Sequence, residues 1–207
     1  MSTLLKSGIA AAAGVALTLV ITTVWPPAGT NPDANHAHAD FAVWTHGKQF
    51  DFSDAKYMMT EDEEQAAPAN SPKKYFHLHD GNGHVIHRHK PGRPLSDFFS
   101  SIGFGVASEK QGEWCWFTLS KKHPFSACES GPMHVYVNGN MWPGNPFDYV
   151  FQDNDQLLLT DASTDTEVRH ELSLMTHDAC LYSETCPWRG KAPTESCVSD
   201  PTVPCKE

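Results

Sequence analysis

Absences narrow this chain's chemistry before anything present does. Over 207 residues it has 15 Lys and Arg against 25 Asp and Glu, a formal charge of -10. No basic stripe occurs, so the dense cationic surface that phosphate contacts need is missing and no nucleic-acid partner is expected. There is no Gly-x-Ser-x-Gly, Walker loop or dinucleotide fingerprint, which removes the common nucleophile-elbow and nucleotide-binding frameworks. Cys-x-x-Cys is also absent; that spacing lowers a thiol pKa and lets the second thiol resolve a mixed disulfide. No internal repeat is found, and the carboxylates form no pattern that assigns a general acid or base.

Long hydrophobic runs are scarce too, with one exception. From Ser7 to Trp25, "SGIAAAAGVALTLVITTVW", nineteen residues carry no charge, close to the ~20 that a bilayer-crossing helix needs. Lys6 precedes the run and Pro26-Pro27 end it, so the positive-inside bias predicts a cell-membrane anchor, single-pass, with the bulk of the chain extracytoplasmic. A cleaved signal peptide is the competing reading, but no Ala-x-Ala-like site follows Trp25 directly. The predicted organisation is a short cytoplasmic N-terminus (1–6), a transmembrane anchor (7–25), a Pro/Gly/Asn linker (26–35), a His-rich domain (36–165) and a Cys-rich irregular tail (166–207).

All six cysteines, Cys115, Cys128, Cys180, Cys186, Cys197 and Cys205, follow the anchor, where disulfides are the expected state. Cys115 is expected to pair with Cys128, with two bridges in the tail, whose four cysteines allow three connectivities. The tail spacings lack the Cys-x2-Cys pairs of structural zinc sites.

Between anchor and tail, hydrophobic patterning predicts an α+β domain, a mixed β-sheet with one short packed helix. "HAHADFAVWT" alternates, with Phe41 and Val43 on one face and His36, His38 and Asp40 on the other, and Gly47 opens a turn into "QFDF". The acidic "TEDEEQAAPANSP" (Thr60 to Pro72) reads as a solvated loop. "PLSDFFSSIGF" places Leu95, Phe98, Phe99 and Ile102 at helical spacing before Gly103. Strands are then expected at "EWCWFTL", "MHVYVNGN" with an Asn-Gly turn, "FDYVF" and "QLLLTDA".

The order hairpin, helix, strands resembles the ubiquitin-like β-grasp layout over Tyr75 to Ala162. The fragments "SDFFSSIGF", "VYVNGN" and "DNDQLLL" sit where such proteins carry their helix, an exposed hairpin and the last central strand. The whole chain is similar to a set of uncharacterised, membrane-anchored extracytoplasmic prokaryotic proteins that share "HAHADF", "HLHDGNG" and "CLYSETCP". Some of these carry the label protein-disulfide isomerase, which implies a redox function; the missing Cys-x-x-Cys departs from it.

The strongest motif is "YFHLHDGNGHVIHRH", Tyr75 to His89, with five histidines in fifteen residues. With side chains alternating at period two, His77 and His79 share a face, as do His87 and His89, while Phe76 and Leu78 point to the core. A loop of Gly81, Asn82 and Gly83 sets Leu78 opposite Ile86 and His77 opposite His87, so that all four imidazoles converge. His36 and His38 repeat the pattern on another strand. The expected function is a membrane-tethered metal-binding module holding copper or zinc through His77, His79, His87 and His89 with His36 and His38 in support. Asp80, His84 and Tyr75 are candidate outer partners. The bland alternative is the wet face of an antiparallel sheet. A zinc-dependent hydrolase or hydratase and a thiol-disulfide enzyme are the competing functions, and an extracytoplasmic or membrane protein partner is compatible with all three. Met58, Met59, Met133 and Met141 are weaker candidate ligands, and His46, His123, His134, His170 and His177 lack paired spacing.

Overall fold

A computed structural model of the protein describes residues 28–33, 35–110, 112–121, 124–128, 131–191 and 193. The predicted anchor, His123, Cys197 and Cys205 lie outside them. Among the described residues no helix is long and apolar enough to cross a membrane.

Nine strands are present among the described residues: β1 (Ala37–Thr45), β2 (Lys48–Gln49), β3 (Phe76–His77), β4 (Val85–Arg88), β5 (Phe104–Lys110), β6 (Glu113–Thr118), β7 (His134–Val137), β8 (Asn140–Met141) and β9 (Asp155–Thr160). Seven form one mixed sheet in the order β3-β4-β1-β9-β7-β8, with β2 paired to β1. β1 runs parallel to β9 and antiparallel to β4. Strands β5 and β6 make a separate antiparallel pair, and the expected Cys115–Cys128 disulfide ties β6 to the segment that returns along it.

Strand β1 is central and buried along its whole length, which gives the sheet two covered faces. Ala37, Ala39, Phe41 and Val43 point into the main core with Ile86, Val135, Leu157 and Leu159. Helix α2 (Leu95–Ser101) lays Phe98 and Phe99 on that face, and Gly103 beyond its end takes φ +89°, a conformation glycine adopts without cost. Trp116 and Phe104 from the small sheet complete this core.

The opposite face of β1 carries His38, Asp40, Ala42 and Trp44. Ala42 and Trp44 pack with Leu158, Val168 and Met175 beneath helix α3 (Asp165–Ser173), which a Thr164/Glu167 capping box starts. The regular pattern therefore does not dissolve after Asp165, as the sequence reading had it. The chain folds back, and Asp40 fastens the return: it accepts from Thr176 Oγ1 at 2.6 Å and from the backbone N–H groups of Asp178 and Ala179 at 2.7 and 3.0 Å. Helix α4 (Ala179–Tyr182) follows, and Cys180–Cys186 closes the turn after it.

Two more expectations are corrected. "FDYVF" is not a strand: Pro146 fixes φ and has no N–H to give to a ladder, so Pro146–Asp148 forms a 3-10 turn capped by Asn145, although Phe147 and Phe151 still reach the core. The acidic Thr60–Pro72 segment is not simply a solvated loop. Thr60 and Glu63 form a capping box that starts helix α1 (Glu61–Ala66), and one of its carboxylates is buried.

Candidate metal centre

The hairpin register is the predicted one, His77 opposite His87, and β1 extends it by placing His38 opposite His87 on the other side. One row across three strands thus reads His38, His87, His77. Asp80 and Gly81 take φ +59° and +70°, the left-handed pair that lets the chain reverse within the Asp-Gly-Asn-Gly break. Two residues along, continuation of the register brings His36 to His89, with ring centroids 4.0 Å apart.

The wet-face alternative fails on burial. His87 is 0% exposed, His38 and His89 2%, His77 4% and His36 9%; only His79 is partly open. What covers them is the returning C-terminal segment. Tyr182 sets its ring edge-on to His87 at 4.9 Å and close to His38 at 5.6 Å, and its hydroxyl accepts from Asn82 Nδ2 at 2.8 Å.

Ring nitrogens approach in three pairs: His36 Nε2 to His38 Nε2 at 3.1 Å, His77 Nε2 to His89 Nε2 at 3.1 Å, and His79 Nε2 to His87 Nδ1 at 3.3 Å. Two nitrogens bound tetrahedrally to one ion at ~2.05 Å lie about 3.3 Å apart. These spacings suit a metal's bite as well as an N–H···N hydrogen bond.

Two rings are oriented from behind. Ser183 Oγ donates to Asp153 Oδ1 at 2.5 Å, so its oxygen accepts from His38 Nδ1–H at 2.8 Å, and the assigned tautomer turns the His38 Nε2 lone pair toward His36. Asp80 Oδ2 lies 2.6 Å from His79 Nδ1 and does the same for His79. Such oxygen–His pairs hold metal-bound imidazoles in place. Burial, reinforced by the rings of His38, His79, His77 and His36, holds the His87 pKa well below the ordinary value; burial and the same kind of crowding hold His89 down too. Both rings are therefore neutral at neutral pH, the state a ligand needs.

Two groups of donors can hold a metal ion, His36 with His38 and His87, and Glu64 with His77 and His89, each with its donor atoms within 4.8 Å of one another. Hence His36 and His38 are full members of the cluster, not supports. Glu64, 3% exposed with Oε1 3.9 Å from His77 Nδ1, was missed with its helix; the Thr60-x-x-Glu63 spacing was the signal that could have found it. Ser183, Asp153 and Tyr182 had no such signal.

Of the proposed outer partners, Asp80 serves, but His84 binds Asp178 at 3.1 Å and Tyr75 donates to Ala69 O at 2.8 Å, away from the cluster. Arg189 also reaches Asp178, at 2.8 Å; burial raises that carboxyl's pKa, but Arg189 and His84 outweigh it and leave the pKa lowered. Met58 and Met59 line a cavity of about 130 Å³ that reaches His77, while Met133 is core and Met141 is exposed. Among the described residues every cysteine is bridged. No protein-family model, curated protein or solved structure matches the chain.

Proposed function

We propose that the protein is a membrane-tethered extracytoplasmic module that binds Cu(II) or Zn(II) through the buried histidine cluster. The convergence of five buried imidazoles, with partly open His79 beside them and paired nitrogens at metal-bite spacing, carries this reading. All-nitrogen donor sets suit copper and zinc over magnesium or calcium, which take oxygen. The uncharged run Ser7 to Trp25 supports the tether, and the strand order, with first and last strands parallel at the centre and a helix across them, supports a β-grasp-type fold.

Elemental analysis of the purified full chain, followed by isothermal titration of the chelator-treated protein with each ion, tests the binding. Submicromolar affinity for either metal is the expected outcome. Binding no tighter than that of an unstructured histidine peptide would overturn the reading.

One observation favours a zinc hydrolase as a second reading, the small cavity beside His77, where Lys56, Lys73 and Ser101 are also found. Ester hydrolysis by the zinc-loaded chain above the metal-free rate would support it.

A further inference from the structure

Resting on the metal-binding reading, we infer that the cluster is a centre for two ions of unlike coordination: one at His36, His38 and His87, the other beside it at Glu64, His77 and His89. The donors fall into two groups that share no residue. Each group contains its own bite, a pair of Nε2 atoms 3.1 Å apart. Each also draws a third donor from a separate element: His87 from β4 joins the pair at the start of β1, and Glu64 from α1, whose Oε1 stands 3.9 Å from the other ring nitrogen of His77, Nδ1, joins His77 of β3 and His89 just past β4.

The groups are in contact. His36 lies 4.0 Å from His89, and His77 stacks on His87 at 5.7 Å with 13° between the planes, centroid to centroid. Two ions so placed are neighbours across a wall of imidazole.

Charge supports the same count. Two adjacent dications repel strongly in a covered site, and neutral imidazoles do nothing to offset that. The protein places a carboxylate at each flank: Glu64 at His77, and Asp153 behind His38 through Ser183. The two sites also differ in kind. An all-imidazole set takes Cu(II) or Zn(II) readily, whereas the Glu64 oxygen adds a harder, charged donor to its set.

The test is native mass spectrometry of the full chain in detergent during Zn(II) titration, with electron paramagnetic resonance of the Cu(II)-loaded protein. Two ions per chain are expected at saturation, with a spin-coupled Cu(II) spectrum. Glu64→Gln should keep the first ion and weaken the second by at least about tenfold; His38→Ala should weaken the other ion instead, and both variants should lose the coupled signal. A single ion lost in both variants would overturn the two-ion centre and leave the metal-binding function standing. Two ions without coupling would remove the adjacency, and two equally tight ions in Glu64→Gln would remove the second ligand set. No bound ion at all would overturn the function itself. The parent's coupled spectrum needs no variant, so the inference is testable even if a substitution prevents folding.

Discussion

The second face of β1 is covered at both ends, and the two ends are covered in opposite ways. Toward its C-terminus Ala42 and Trp44 meet Leu158, Val168 and Met175 in an apolar cluster beneath α3. Toward its N-terminus the same pleat presents His38, and beside it lie His36, His87, His89 and His77, all at 9% exposure or less. Packing alone needs nothing of the second kind, since the chain itself shows a few residues away how to cover that face with hydrocarbon. Each buried imidazole must also find a partner for its N–H or forfeit on the order of 1–3 kcal/mol. On the proposed function, the apolar end serves stability and the histidine end, which could hold a metal ion, serves a ligand.

The sharpest way to break that contrast is to mutate each end and read both properties. His77→Ala with His87→Ala removes a donor from each set and leaves Phe76, Leu78 and Ile86 in the core, so metal affinity should fall at least ~1000-fold by loss of first-contact ligands. Val168→Ala at the apolar end should cost about 2 kcal/mol of stability and leave the titration with Zn(II) unchanged. If Val168→Ala weakened metal binding as much as the histidine pair, the two ends would not be separate in function.

Ser183 tests the support behind the ligands. Its hydroxyl joins His38 to Asp153, and Ser183→Ala leaves the His38 tautomer unset. Affinity should drop about 10–100-fold, the usual effect of losing an outer partner, with His38 itself still present. An unchanged dissociation constant would show that burial alone orients the ring.

The disulfide Cys180–Cys186 holds the segment carrying Tyr182 and Ser183 over the histidines. Replacing both cysteines by serine should lower the unfolding free energy by roughly 2 kcal/mol, by the chain-entropy estimate for so short a loop. Metal release, followed by transfer to a chelator, should quicken by about tenfold as the cover loosens. Equal release rates would separate the cover from the site.

How much of this was legible in the sequence depended on whether the signal was local. The hairpin register followed from alternation and the Asp-Gly-Asn-Gly break, and the Leu95–Ser101 helix from its spacing, because both are set by residues close in the chain. That His36 and His38 join the hairpin could be suspected from the shared pattern, but their pairing with β4 is a contact across some fifty residues. Glu64 hid in an acidic segment whose composition outvoted its capping box. Ser183 and Asp153 lie 145 and 115 residues from His38, and no period links them to it. The strand expected at "FDYVF" failed because the proline just before it outweighed four favourable side chains, Phe147, Tyr149, Val150 and Phe151.

The test that compares the two ends without any metal is the pH dependence of the chelator-treated protein. His87 and His89 have pKa values held well below the ordinary ~6.5 in the folded state, chiefly by burial. An unfolded chain therefore binds more protons than the folded one once the pH falls below about 6.5, so protons favour unfolding. The stability these rings contribute is whole above that pH and is lost as the pH falls toward their depressed folded values, at up to about 1.4 kcal/mol per pH unit for each ring. Under the apolar end's helix the titrating group works the other way. Burial raises the Glu171 pKa, partly countered by its bond to Thr160; the folded state then binds the proton first, and acidification favours folding in a window just above pH 4.5. Urea midpoints measured from pH 8 down to 5.5 should accordingly fall, and the fall should be shallower in His87→Ala but parallel to the parent in Val168→Ala. A midpoint constant over that range would mean that the histidines take up protons in the folded state as readily as in water, and the distinction between the two ends of the face would be lost.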